Sequence, residues 1–178
     1  MASDILKALQ EKGNHAVGNL SSLKIKTVAN GAIVEGADID NFTLGELGFN
    51  AEGERTVKQL SANDKKAVLV ASPETRYLDE EITKFYNAVG ERVRCVILEE
   101  GYTRFETSAF TKNSGVSEIK NGQVAHFDVA TKKFIVSDAA SAHADYATAS
   151  AQFLVANNEE DIQYTLGKPM IRFEVIKA

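Results

Sequence analysis

Two His-x-Asp units contain the side chains of this chain that are best suited to metal or acid–base chemistry. They are His126-Phe127-Asp128 and His143-Ala144-Asp145. Imidazole nitrogens and carboxylate oxygens are common zinc ligands, and a histidine beside a carboxylate is a common general base. Residues two apart on a β-strand point to the same face, so His126 and Asp128 could approach one ion together.

His126 lies on the opposite strand face from three apolar residues, Ala125, Phe127 and Val129. Because an apolar face covers the core of a half-buried strand, the face that holds His126 is predicted to point to solvent. A polar sheet surface explains this pattern without a metal. We therefore predict no metal ligand here.

The remaining reactive side chains form no catalytic pattern. No serine stands in a Gly-x-Ser-x-Gly motif, and Cys95 alternates with Val93 and Ile97, which predicts a buried and unreactive thiol. The chain has three pairs of adjacent glutamates: Glu80–Glu81, Glu99–Glu100 and Glu159–Glu160. Neighbours on a strand point to opposite faces, which is poor geometry for shared acid–base work. The sequence predicts no catalytic residue and no cofactor.

The composition is that of a folded, acidic protein. Of the 178 residues, 44% are hydrophobic and 25% are charged, which suits a globular chain with a sizeable core. The net charge of −5 argues against nucleic-acid binding, which needs clustered positive charge. No run of about 18 apolar residues is present, so we expect no membrane span. The one cysteine allows no disulfide within the chain.

The residues after Gly90 alternate between apolar and polar side chains, which predicts a series of short strands. These strands lie near residues 92–99, 102–110, 123–129, 133–137, 151–156, 162–166 and 170–177. The clearest signal is a hairpin that follows the Asn121-Gly122 turn and reverses at Thr131-Lys132. The alanine-rich stretch 139–151 fits either a short helix or a loop, and its periodicity does not decide between them.

The residues before Gly90 carry a more varied pattern. The predicted strands in this part are 23–27, 32–35 and 67–71, the first two joined by a turn at Asn30-Gly31. Scattered glycines among polar residues predict a long loop over about 36–55. Apolar residues at helical spacing predict one helix over roughly 79–89.

These elements give a mainly β fold with a minor helical part. We predict a β-barrel or β-sandwich domain at residues 23–178, with one packed helix, and an N-terminal arm at residues 1–22. The arm contains a short helix whose apolar stripe is Ile5, Leu6 and Leu9. Because so short a helix is marginal on its own, we expect these three residues to bind a partner.

Two segments resemble structural proteins of tailed bacteriophages. Residues 86–108 contain a Gly-Glu-Arg…Arg…Gly…Phe…Thr-Ser pattern that is similar to small virion proteins encoded with capsid genes. Residues 122–134 contain Gly-Gln-Val…Phe-Asp…Thr-Lys-Lys-Phe, and the chain closes with a strand that includes Arg-Phe-Glu-Val-Ile. This second pattern resembles the β-barrel cores of capsid decoration (cement) proteins. The resemblance covers residues 65–178 and leaves the first third of the chain unmatched.

The resemblance implies a structural role and no catalytic residue. It implies a virion protein that binds the major capsid protein, stabilises the head lattice and forms a homo-oligomer, with assembly in the host cytoplasm. A tail or head–tail component is the alternative among virion proteins. From another class, a metal-dependent or hydrolytic enzyme would use His126 with Asp128 and His143 with Asp145.

Overall fold

The computed structural model describes residues 18–20, 22, 24–74, 85–157, 163–165 and 168–178. Its strands are β1 (Gly18–Leu20), β2 (Ala32–Val34), β3 (Thr43–Phe49), β4 (Arg55–Gln59), β5 (Val68–Val70), β6 (Arg92–Val93), β7 (Cys95–Ile97), β8 (Arg104–Thr107), β9 (Phe110–Lys112), β10 (Val124–Asp128), β11 (Lys133–Ser137), β12 (Gln152–Val155), β13 (Gln163–Thr165) and β14 (Lys168–Lys177). Two 3₁₀ turns, Ala139–Ser141 and Ala144–Tyr146, separate β11 from β12. The predicted mainly β fold is confirmed.

The larger sheet has eight strands in the order β1-β8-β14-β12-β10-β11-β9, with β13 paired to β14. The predicted hairpin is present as the antiparallel pair β10–β11, in which Val124 faces Ser137 and Asp128 faces Lys133. Lys132 closes its turn with a φ of 57°, in the left-handed region. Ala125 and Phe127 are buried, as the alternation predicts.

The smaller sheet has six strands in the order β6-β2-β4-β3-β5-β7 and is nearly closed. Its two end strands are consecutive in the chain and are separated only by Arg94. β6 pairs with β2, and β7 pairs with β5. These pairings bend the sheet into a barrel-like shape. The core inside it is small and rich in valine, and includes Val34, Val57, Val70 and Cys95.

The main core lies between the barrel-like sheet and the larger sheet. β5 shows how the two are joined, since Val68 and Val70 point into the barrel while Leu69 points into the main core. The larger sheet contributes a cluster of five buried phenylalanines: Phe105, Phe127, Phe134, Phe153 and Phe173. Neighbouring rings in this cluster lie 5.1–6.0 Å apart in tilted or edge-to-face pairs, which is the favourable range for aromatic contacts.

Three predictions about the first half of the chain are wrong in part. The expected loop at 36–55 contains all of β3, and residues 18–20 of the expected arm are a strand paired with β8. The hairpin at Asn30-Gly31 is absent, because β2 pairs with β4 and β6 while Thr27 makes only a single bridge to Val96. These pairings join residues far apart in sequence, which local patterns do not reveal.

The predicted helix at 79–89 is wrong where the structure describes it. Residues 79–84 lie outside the described part of the chain. Phe85 and Tyr86 are buried in non-helical backbone, and Asn87 exchanges two backbone hydrogen bonds of 2.9 Å with Ile39. Pairing of this stretch with Ile39 replaces the helical hydrogen bonds.

In the described residues, no helix has the length and apolar character that a membrane crossing requires.

Candidate functional site

His126 is fully buried, which corrects the prediction that its strand face points to solvent. It lies at the centre of β10, paired with Ile135 of β11 and Gln152 of β12. Its neighbours Ala125 and Phe127 point into the main core, so the His126 ring projects from the other face of the sheet. That face is covered by residues 138–150, which link β11 to β12.

Residues 138–150, the covering segment, are held by hydrogen bonds to the two strands that they link. The N–H of His143 donates to the Ser137 hydroxyl at 3.2 Å, and the Gln152 amide donates to the Tyr146 carbonyl at 2.8 Å. The N–H of Asp145 donates to Nδ1 of His143 at 3.3 Å, which caps the second 3₁₀ turn. Small alanines allow the chain to turn tightly here, and the segment is neither a regular helix nor an open loop.

The covering segment brings His143 and Asp145 against His126. The two imidazole rings stack with centroids 5.1 Å apart and an interplanar angle of 26°, and the Tyr146 ring meets His126 edge-on at 6.3 Å. Nδ1 of His143 lies 3.7 Å from Oδ2 of Asp145. One potential ligand atom from each of His126, His143 and Asp145 lies within 4.8 Å of the other two. We call these three residues the histidine cluster.

The electrostatics of the histidine cluster are set by the burial of His126. Burial lowers the pKa of His126, and the nearby His143 lowers it further, while Asp145 and Asp128 act in the opposite direction. Neither ring nitrogen of His126 has a hydrogen-bond partner among the described residues. A buried polar group without a partner costs roughly 1–3 kcal/mol, so a ligand for His126 would stabilise this region.

Asp128 is not part of the cluster, contrary to the pairing suggested by its spacing from His126. Its carboxylate accepts hydrogen bonds from the N–H groups of Ala130 and Thr131 and from the Thr131 hydroxyl, the last at 2.6 Å. Burial alone would raise the pKa of Asp128, but these hydrogen bonds lower it. Asp128 therefore shapes the β10–β11 turn. The sequence suggests two separate pairs, His126 with Asp128 and His143 with Asp145, whereas the structure places His143 and Asp145 beside His126.

Cys95 is buried in the barrel-like sheet, as the sequence predicts, and burial raises the pKa of its thiol to about 11. The thiol is therefore protonated at neutral pH, which makes it a poor nucleophile.

The predicted partner-binding residues Ile5, Leu6 and Leu9 lie outside the described residues. Among the described residues, the most exposed large apolar side chain is Phe49, at 63%, at the end of β3. The Arg55 guanidinium lies 4.0 Å from the centre of the Phe49 ring. Arg92 lines the same depression and pairs with Glu54 at 2.8 Å. We call Phe49, Glu54, Arg55 and Arg92 the Phe49 surface.

Comparison with known proteins places this chain among prophage proteins. The family model described as YonC prophage protein matches residues 11–176. An SPbeta prophage-derived uncharacterized protein, YonC of Bacillus subtilis (strain 168), is 62% identical over 178 residues, which cover the whole of both chains. No solved structure matches.

Proposed function

The chain belongs to the YonC prophage protein family, and we propose that it is a structural protein of the phage particle that decorates the capsid. The prophage relationship supports a phage origin. The decoration role is the proposal, and its partner is the major capsid protein. In this role the protein binds between neighbouring capsid subunits and stabilises the head lattice, and it resides in the virion.

The Phe49 surface is the observation that carries the proposal. Exposed aromatic rings and arginines are enriched where partner proteins contribute most binding energy. Phe49 ends a strand whose partner in the tight hairpin begins at Arg55, so the ring is presented on a rigid support. The Asn50 side chain accepts a hydrogen bond from the Glu54 N–H at 2.8 Å, which fixes the turn between them. A preformed contact of this kind costs little ordering entropy on binding.

The two outer strands of the larger sheet offer a second mode of contact. In the described part of the chain, β1 and β9 each pair with one neighbour only. A strand edge with a free side can accept a strand from another protein, or from a second copy of this chain. Because a capsid repeats its sites, weak contacts at each copy suffice for a stable coat.

The Phe49 surface is tested by adding purified protein to phage particles that lack it and measuring the bound fraction after sedimentation. We expect Phe49→Ala to weaken binding about tenfold or more, since loss of a central aromatic contact typically costs at least about 2 kcal/mol. Tyr102, which is 43% exposed and lies elsewhere, supplies the matched control Tyr102→Ala. Equal binding by Phe49→Ala and the unchanged protein would remove this surface from the proposal.

The N-terminal arm is a separate anchor in this proposal. Its apolar stripe of Ile5, Leu6 and Leu9 fits a groove on a capsid subunit or on a neighbouring copy. We expect the double variant Leu6→Asp and Leu9→Asp to fold and yet to be missing from particles, as measured by particle composition. Full occupancy by that variant would show that the arm is not an anchor, and loss of folding would place the helix in the core.

Two alternatives to the decoration role can be distinguished from it by experiment. A tail or head–tail component would sediment with purified tails or connectors instead of with heads. A metal-dependent or hydrolytic enzyme would use His126 with His143 and Asp145, since Asp128 is engaged in the hairpin turn. The histidine cluster is the specific observation that favours this second alternative.

A further inference from the structure

We propose that His126, His143 and Asp145 bind a divalent transition metal of the Zn²⁺ type, which fastens the covering segment to the larger sheet. The proposed site is independent of the decoration role. It links β10, at the centre of the sheet, to the second 3₁₀ turn. Its function is structural, as a cross-link between two parts of the fold.

The cluster brings together three groups of the kind that ligate zinc. Zinc lies about 2.0–2.2 Å from nitrogen and oxygen ligands in a tetrahedron, so its ligand atoms are about 3.3 Å from one another. The ligand atoms here already lie within 4.8 Å of one another without an ion. Both His143 and Asp145 are partly exposed, so their side chains have room to turn, and binding would rotate the His143 ring out of its stack on His126. A water molecule would complete the tetrahedron from the solvent side.

The burial of His126 without a hydrogen-bond partner in the described residues is the second observation that supports a metal site. This ring is fully buried, and both its nitrogens lack a hydrogen-bond partner in the described residues. Its neighbours His143 and Asp145 present a ring nitrogen and a carboxylate oxygen to it. A metal bond removes the cost of one unpaired buried nitrogen, which stacking of the two rings does not.

The ligand types select the class of metal. Two imidazoles and one carboxylate suit Zn²⁺ and similar ions, whereas Mg²⁺ and Ca²⁺ take oxygen ligands almost exclusively.

A metal cross-link would add to the hydrogen bonds that hold the covering segment, since little apolar contact does so. Neither 3₁₀ turn contains a buried residue. Only Ala149 is buried near its end, and a methyl group contributes little. A metal bound to His126 would therefore hold the turn that carries His143 and Asp145 in place.

The test is a calorimetric titration of chelator-treated, purified full-length protein with Zn²⁺. We expect one ion per chain, and no binding of Mg²⁺ or Ca²⁺ under the same conditions. His143→Ala and Asp145→Asn should each weaken Zn²⁺ binding by about tenfold or more. Asp64→Asn removes an exposed carboxylate outside the cluster and is the matched control, with binding expected to match the parent. Absence of stoichiometric Zn²⁺ binding, or equal affinity in all three variants, would overturn the proposal.

A second readout separates a metal site from a purely structural contact. Cobalt(II) bound by this ligand set should give the visible absorption of a tetrahedral complex, and Asp145→Asn should reduce it. Zn²⁺ should also raise the melting temperature and slow proteolysis within residues 138–150 in the parent but not in His143→Ala. Because both substituted residues are partly exposed, these variants are expected to fold, and the result does not depend on replacing buried His126. A Zn²⁺ effect on stability that persists in both variants would contradict the assignment.

Discussion

Glu46 is the side chain whose charge contributes most clearly to the stability of this fold. It is 7% exposed and lies within reach of Lys58 at 3.2 Å, Lys65 at 3.0 Å and the Ser61 hydroxyl at 2.8 Å. Burial alone would raise the pKa of Glu46, but the hydrogen bonds from Ser61, Lys65 and Lys58 lower it to about 2. The charged form is therefore favoured by folding.

This lowered pKa predicts a loss of stability in acid. Because the folded-state pKa lies below the ordinary value of 4.5, the contribution of Glu46 is fully present above about pH 4.5 and is lost as the pH falls towards 2. The shift corresponds to about 3 kcal/mol. We expect Glu46→Gln to lower the free energy of unfolding at pH 7 by about 1–3 kcal/mol, and by less at pH 3.

Urea denaturation at the two pH values measures this difference. Glu118, in an exposed pair with Lys120, supplies the control Glu118→Gln, for which we expect little change at either pH. A Glu46→Gln effect that is equally large at pH 3 would mean that lost packing, and not lost charge, causes it.

Cys95 and His126 show which features of burial the sequence predicts and which it does not. The burial of Cys95 follows from alternation, because its neighbours on the same face are apolar. The same alternation places His126 opposite Ala125 and Phe127, but it carries no information on what covers the second face. The covering segment is alanine-rich and polar, so its sequence does not predict that it buries a histidine.

β3 is a strand in a glycine-rich stretch that local composition predicts to be a loop. Gly45 lies in the middle of the strand, and a Cβ there would stand 2.6 Å from Cγ2 of Val57 and 3.0 Å from the Lys58 carbonyl oxygen. β3 packs so closely against β4 that only glycine fits. Local composition indicates a loop, whereas the packing of the barrel-like sheet requires this glycine within a strand.

We therefore expect Gly45→Ala to destabilise the protein by about 1–3 kcal/mol, because the added methyl group overpacks a rigid strand pair. Gly48 is the matched control in the same strand, since a Cβ there would meet only Oγ1 of Thr56, at 3.1 Å. Gly48→Ala should cost clearly less. Thermal unfolding of the two variants measures the difference, and equal melting temperatures would contradict the account of β3.

Most strands after Gly90 are predictable from the sequence. The strands with which they pair are not. Alternation locates a strand, and a short turn identifies the β10–β11 hairpin. By contrast, β1 pairs with β8 and β2 pairs in parallel with β4, which are contacts between distant parts of the chain. The closed shape of the smaller sheet and the shared core between the two sheets depend on such pairings.

The Phe49 surface lies at one end of the barrel-like sheet, whereas the covering segment lies on the outer face of the larger sheet. The proposed capsid contact and the proposed metal site therefore lie on different sheets. A variant at either site should leave the other property intact, which makes the two proposals separable.

We propose that this protein is a component of the phage particle. Quantitative mass spectrometry of purified particles, from the phage that encodes this chain, tests it most directly. We expect the protein to stay with the heads after tails are removed, in a fixed ratio to the major capsid protein. Recovery of the protein only in the particle-free fraction, with none in intact particles, would contradict the claim.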